Sequence, residues 1–236
     1  MSYPVWRLYL DKAPLQAHRA WFDRGKSGPG RLVLEDQNLQ GAKAPLNFPG
    51  ARFVRCDLSS ADLPLFKLDE LELVDCKLDD ANLARTHFPG ASIAGTTFLR
   101  ADLRLAHFHH ARIRDSDLGE AKLDRGLFIG AVLERVSLAG AHLVDTVFDD
   151  ARLIDCDLRG CDLSRVDPVL DLARTTRARF ERCDLRGAKL DGRRIDGTVF
   201  DHCRMDGMTG KPEIQGPYTI TAPEGSTVEA IESAWR

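Results

Sequence analysis

Along the middle of the chain a bulky apolar residue recurs at every fifth position. From Phe48 through Phe53, Leu58 and Leu63 to Leu163, 24 consecutive positions hold only Leu, Phe or Ile. Two residues ahead of each stands a second set. Of its 23 members from Ala51 to Cys161, 21 are no larger than Val and 11 are Ala. The other three positions of each five are mostly polar, with Asp57, Asp62, Asn82, Asp102, Arg112, Asp117 and Lys122 among them. A period of five fits neither the helical period of about 3.6 nor the strand period of about 2. One large and one small inward residue per five, followed by a turn, predicts a four-sided tube. Four pentads then close a coil of about 20 residues.

That frame makes further expectations specific. Phe48, Phe88, Phe108, Phe128 and Phe148, with Leu68 in the gap, should stack as a ladder on one face. Leu63, Leu83, Leu103, Leu123, Leu143 and Leu163 should line another. The Pro-Gly pairs at Pro49-Gly50 and Pro89-Gly90 suit type II turns. After Leu163 the pattern resumes 17 residues on, at Phe180, and runs through Leu185, Leu190, Ile195, Phe200 and Met205. Phe180 and Phe200 keep the ladder's spacing, so residues 166–177 are read as an inserted loop that returns Phe180 to the ladder face. The alternative is a two-residue bulge that puts Phe180 on a different face. Phe66 and Leu71 are too large for the small-residue pocket, so residues 64–73, opened by Pro64, are expected to bulge.

The ends read differently. Residues 13–24 place Leu15, Ala17, Trp21 and Phe22 near one side of a helix stopped by Gly25. Leu34 and Leu39 look like two early pentads offset by one. Ser226 and Glu229 form a capping-box pattern opening a helix with Val228, Ile231 and Trp235 on one side. That helix is either an end cap or a dimer contact. The organisation expected is an N-terminal cap over 1–30, a main solenoid over 31–165, the loop 166–177, final coils over 178–210, and a tail with a short helix over 211–236.

Segments such as Ala61-Asp62-Leu63, Ala81-Asn82-Leu83, Ala101-Asp102-Leu103 and Cys161-Asp162-Leu163 match an A-(D/N)-L-x-x unit. In this the chain resembles the pentapeptide-repeat proteins, over about residues 46–163 and 178–207. The resemblance implies an all-β solenoid, a right-handed quadrilateral β-helix of about 7–8 coils, with short helices at the N- and C-terminal ends. It implies less about function, because members range from topoisomerase-protecting resistance factors to proteins with no established partner.

Charge and candidate chemistry narrow the choice. Thirty-three Lys and Arg against 36 Asp and Glu leave a net charge of −3, too balanced for a binder of phosphates or for a polyanion. No apolar run of about 20 residues exists, and the first residues lack a signal-peptide layout, so a cytoplasmic protein without membrane contact is expected. All six cysteines (Cys56, Cys76, Cys156, Cys161, Cys183 and Cys203) take the small inward position, with no CxxC pair. They are read as reduced core thiols in a reducing compartment. His87, His107, His109 and His110 gather near Phe108, but no carboxylate or Cys completes a metal set, and they are read as surface side chains. No phosphate loop, Ser-His-Asp layout or HExxH occurs. A non-enzyme with no catalytic, cofactor or metal residue is expected.

Two functions remain, both through a protein partner and without direct nucleic-acid contact. The first is a rigid protein-binding scaffold. The alternative, implied by the resemblance, is a DNA mimic that protects or inhibits DNA gyrase or topoisomerase IV. Residues 46–210 hold 28 acidic and 24 basic side chains, which weakens global mimicry. The candidate partner surface is Asp57, Asp62, Asp102, Asp117, Asp157 and Asp162, on two adjacent faces and interrupted by Lys77 and Lys122. Arg52, Lys67, His87, His107, Arg112 and Arg152 fall on the other two. The inserted loop offers Asp171, Arg174 and Arg177 as contacts, and Val228, Ile231 and Trp235 form the candidate cap or homodimer helix.

Overall fold

The structure, a computed structural model, describes residues 12–43, 48–165, 174–225 and 227–233. Ten three-residue strands stack in chain order into one parallel sheet. They are β1 (Val33–Glu35), β2 (Arg52–Val54), β3 (Glu72–Val74), β4 (Ser92–Ala94), β5 (Arg112–Arg114), β6 (Val132–Glu134), β7 (Arg152–Ile154), β8 (Arg179–Glu181), β9 (Val199–Asp201) and β10 (Thr219–Thr221). This sheet is the first of four faces. The other three are columns of single parallel bridges, such as Asn82↔Asp102, His87↔His107 and Thr97↔Asp117. The result is a β-solenoid of about nine turns, longer than the expected 7–8 coils. It is longer because β10 lies where a tail was expected, and because Leu34 and Leu39 do open a first coil, in a register of 19.

The corners explain the period. Every fifth residue from Gly50 to Gly160 has φ between 50° and 73°. At three corners of each coil the amide after that residue closes a turn, as Ala101 does to Phe98 O at 3.0 Å and Ala106 to Leu103 O at 3.0 Å. A left-handed residue every fifth position turns the chain repeatedly in one sense and leaves three residues per side. Pro49-Gly50 and Pro89-Gly90 are such turns, with φ 73° and 65° at the glycines.

At the corners that follow β3 and β4 a hydroxyl of the next coil takes the amide instead. The Cys76 amide donates to Thr96 Oγ1 at 3.3 Å, and the Thr96 amide to Ser116 Oγ at 3.2 Å. This column of small residues (Cys56, Cys76, Thr96, Ser116, Val136, Cys156, Cys183, Cys203) holds five of the six cysteines. Their thiols donate to carbonyls of the coil before, as Cys183 does to Leu153 O at 3.3 Å. All six cysteines are buried and unbridged.

Inside, Phe88, Phe108, Phe128 and Phe148 stack with centroids 4.7–5.0 Å apart and planes within 18°. The leucine face and the alanine set are buried beside them. No bulge is present over 64–73. Phe66 and Leu71 are in the core, and the bridge pattern runs through them unbroken. The size conflict is relieved locally: Phe66 shares its pentad with Leu68, the smaller member of the ladder, and Leu71 stacks between Ala51 and Ala91.

The ladder does not include Phe180 and Phe200. Phe180 pairs with Leu153 and Phe200 with Phe180, which places both on the first face, where they stack on each other at 5.1 Å. The offset from Arg152 to Arg179 is 27 residues, so the insertion is seven residues, and Thr175 takes the ladder position above Phe148. Hydrogen-bond register, not side-chain type, decides the face. Pentad positions are chemically interchangeable, and the phenylalanine spacing alone was misleading.

Two helices attach to the ends. Helix α1 (Lys12–Asp23) buries Trp21 and His18, with Leu15 and Phe22 half-buried. Ala17, expected on the packed side, is exposed, and His18 takes its place. Helix α2 (Val228–Ser233) follows β10 and is tied to it by the Tyr218 hydroxyl donating to the Glu232 carboxylate.

Candidate interaction surface

The six acidic candidates sit where the repeat predicted, in two adjacent bridge columns. Asp57, Asp117 and Asp157 lie on the second face, and Asp62, Asp102 and Asp162 on the third. Their first duty is to the backbone. Carboxylate oxygens of Asp57, Asp117, Asp157 and Asp162 accept the amides of Ser59, Gly119, Arg159 and Ser164 at 2.9–3.1 Å, and Asp102 accepts Arg104 N at 3.2 Å. Such a local bond is why Asp or Asn precedes the bulky residue in so many units. At Thr97 and His142, where that position is neither Asp nor Asn, an aspartate one coil earlier does the same work. Asp79 accepts Leu99 N at 3.0 Å and Asp124 accepts Val144 N at 3.2 Å.

Cations then neutralise much of the remaining charge. Arg104 pairs with Asp102 at 2.6 Å and Arg159 with Asp157 at 2.5 Å, holding both carboxyls below their usual range. Asp162 has Lys189 at 3.7 Å, Asp62 has Lys43 at 3.9 Å, and Asp57 accepts Gln40 Nε2 at 2.6 Å. The columns are therefore mixed in sign, as Lys77 and Lys122 foreshadowed.

The left-handed corners add a second pairing system. Arginine forks clasp the aspartate one coil below in Arg55–Asp36, Arg100–Asp80, Arg135–Asp115, Arg177–Asp150 and Arg182–Asp155, each with two bonds of 2.6–3.0 Å. Planar guanidinium and carboxylate match in this geometry. The loop contacts expected at Arg174 and Arg177 are thereby corrected. Both lie back in the coil, Arg174 on Asp149 at 2.9 Å and Arg177 on Asp150 at 2.7 Å. Asp171 lies outside the described residues, as do Ser226, Trp235 and the side chain of Ile231; Val228 is half-buried on α2.

Sequence reasoning missed one internal cluster. Arg193 is fully buried, although its position in the pentad belongs to small residues. Its guanidinium donates to Leu163 O at 2.9 Å, Thr146 O at 2.8 Å and Arg174 O at 3.2 Å, and lies 5.5 Å from the Phe148 ring. Burial pushes its pKa down to about 9, against the pull of Asp149 and Asp145. The signal for it was available: an Arg at a small position one coil beyond the insertion, where Thr175 leaves the space a phenylalanine would fill.

The histidines gather as expected. His87 and His107 rings are 4.4 Å apart and His107 meets His109 edge-on at 5.5 Å. Among the described residues no group of three or more His, Cys, Asp or Glu is arranged to hold a metal ion. No helix of the described residues is long and apolar enough to cross a membrane.

A family model described as pentapeptide repeats matches residues 72–109, 90–125 and 127–165, with eight copies. Over this stretch the chain is built of pentapeptide repeats and is similar to that family. Among solved pentapeptide-repeat structures, a trypsin-treated variant of QnrB1, a plasmid-mediated fluoroquinolone resistance protein, is 14% identical. The match covers 86% of this chain and 96% of that one at a TM-score of 0.50, a likeness of fold. HetL, from the cyanobacterium Nostoc sp. strain PCC 7120 and involved in heterocyst differentiation regulation, is 19% identical over 88% of this chain and 96% of its own, at a TM-score of 0.37. No curated protein sequence matches the chain.

Proposed function

We propose that this protein is a rigid, non-catalytic scaffold that binds a protein partner through its outer columns. The supporting observation is the internal use of its charge. Aspartates hold backbone amides and arginine forks join coil to coil, so side chains that form an anionic field in a DNA mimic here fix the spacing of the faces. What faces the solvent is a mixed, rigid relief suited to shape recognition. Six buried, unbridged thiols fit a reducing compartment.

The test is a photo-crosslinking residue placed in turn at Ser92, Ser137, Lys122 and Leu127, one on each face. A discrete protein adduct confined to one face supports the scaffold. Absence of any adduct from all four faces overturns it. The topoisomerase-protecting alternative rests on likeness of fold to QnrB1, and the paired charges weigh against it.

A further inference from the structure

We propose that the edge between the third and fourth faces is a docking groove for an acidic, leucine-bearing helix of a partner protein. This names the partner chemistry for the scaffold reading and rests on it. Left-handed corner positions elsewhere hold polar residues or glycine. On this edge they run Leu65, Arg85, Leu105, Arg125 and then the buried Asp145, with φ of 64°, 59°, 60°, 59° and 56°. Among the described non-glycine residues with positive φ, Leu65 and Leu105 are the two that are apolar. Leucine is disfavoured in this backbone region, where Asn or Gly sits at lower cost. Leu65 is also 65% exposed, so it stabilises the fold neither by conformation nor by burial.

Around Leu105 the surface dips into a groove of about 370 Å³ lined by Ala84, Arg85, Arg104, Leu105, Asp124 and Arg125. Three guanidiniums thus surround one apolar floor. Arg85 has no carboxylate partner among the described residues, whereas Arg104 is held by Asp102 and Arg125 lies 3.6 Å from Asp145. The one acid in the lining, Asp124, accepts Val144 N, and burial pushes its pKa up. Cationic rim and apolar floor together select an anionic, apolar ligand.

Spacing selects its form. Coils succeed one another at about 4.8 Å, so apolar and cationic side chains alternate along the edge at that step. An α-helix lying along it advances about 5.4 Å per turn and brings one side chain to each coil. Leucine over Leu65 and Leu105, and glutamate over Arg85 and Arg125, is the complementary order.

The probe is a fluorescent helical peptide carrying Leu, Glu, Leu, Glu at i, i+4, i+7 and i+11, read by polarisation against the full chain. A peptide with Lys for Glu and a nucleic-acid duplex serve as competitors. Saturable binding that weakens with salt is expected, with a loss of about tenfold or more in affinity for Arg85→Glu, Leu65→Asn and Leu105→Asn. Arg112→Glu on the first face should bind as the parent does. Because Asn suits the left-handed corner, Leu65→Asn should melt no lower than the parent, which separates a binding leucine from a structural one. No binding, equal binding of the Lys peptide or the duplex, or unchanged affinity in all three groove variants overturns the groove. Crosslinks on another face would then leave the scaffold standing.

Discussion

At the scale of single residues the solenoid tolerates exceptions only where a neighbour compensates. Arg193 fills the room that Thr175 leaves above Phe148, and satisfies three carbonyls there. Arg193→Ala removes those donors and opens a cavity, so a loss of about 3–5 kcal/mol in denaturant unfolding is expected. Thr175→Phe together with Arg193→Thr returns a phenylalanine to the ladder and a small residue to the small position of the next coil, and should recover most of that loss. Equal destabilisation of the single and double variants would show that the ladder space is not what Arg193 fills. Thr96 is the subtler case. Its hydroxyl accepts the Cys76 amide at 3.3 Å and donates to Ala94 O at 3.0 Å. Thr96→Val keeps the shape and orphans both groups, for an expected cost of about 1–3 kcal/mol, whereas Thr96→Ser should be nearly neutral. Chemical denaturation of the two variants side by side checks this.

Among the elements, the coils were legible because each residue's duty repeats every five positions, and helix α1 was legible only in outline. An amphipathic pattern located it, yet the pattern could not show that His18 would be its polar anchor. His18 Nδ1 accepts the Leu32 amide at 3.0 Å, and its ring stacks on Trp21 at 5.4 Å. Burial lowers its pKa from 6.5, outweighing the pull of the Pro49 carbonyl, and Arg31 nearby lowers it further. A neutral ring is required, since a proton on Nδ1 would displace the Leu32 bond. The folded pKa lies below the unfolded one, so the stabilisation is complete above about pH 6.5 and is lost as pH falls from there through the folded value. Amide hydrogen exchange in α1, corrected for intrinsic rate, should accelerate between pH 7.5 and pH 5.5 while coils β3 to β6 stay protected. His18→Gln should abolish that difference, and a pH response surviving the substitution would place the switch elsewhere. The insertion was illegible for a different reason. Seven residues and 12 both leave a phenylalanine at a pentad centre, and only the hydrogen-bond register decides between them, through the pairing of Leu153 with Phe180 and the bond from Phe148 N to Arg174 O at 2.7 Å.

For the molecule as a whole, the decisive quantity is how charge is distributed along the rod. Ten stacked strands make nine steps, or roughly 43 Å at about 4.8 Å each. Duplex DNA of that length carries about 25 phosphate charges at one per about 1.7 Å. This chain has a net charge of −3, and its corner aspartates are clasped by arginines of the next coil. Exposed pairs of this kind contribute little stability each. Their collective effect is a surface potential that alternates in sign over one coil and cancels within a Debye length of about 8 Å in physiological salt. A DNA-binding saddle, lined with cations to meet a continuous anionic strip, finds no such strip here. The chain is therefore expected to leave gyrase supercoiling and its inhibition by a quinolone unchanged, even in large molar excess. Dose-dependent inhibition, or rescue from the quinolone, would show that recognition proceeds through shape despite the missing charge, and would restore the topoisomerase as partner. In that event the arginine-lined edge at Arg85 and Arg125 is the wrong sign to meet the saddle. Reversing its charge with Arg85→Glu should then strengthen the effect, whereas a groove for an acidic helix is abolished by the same change.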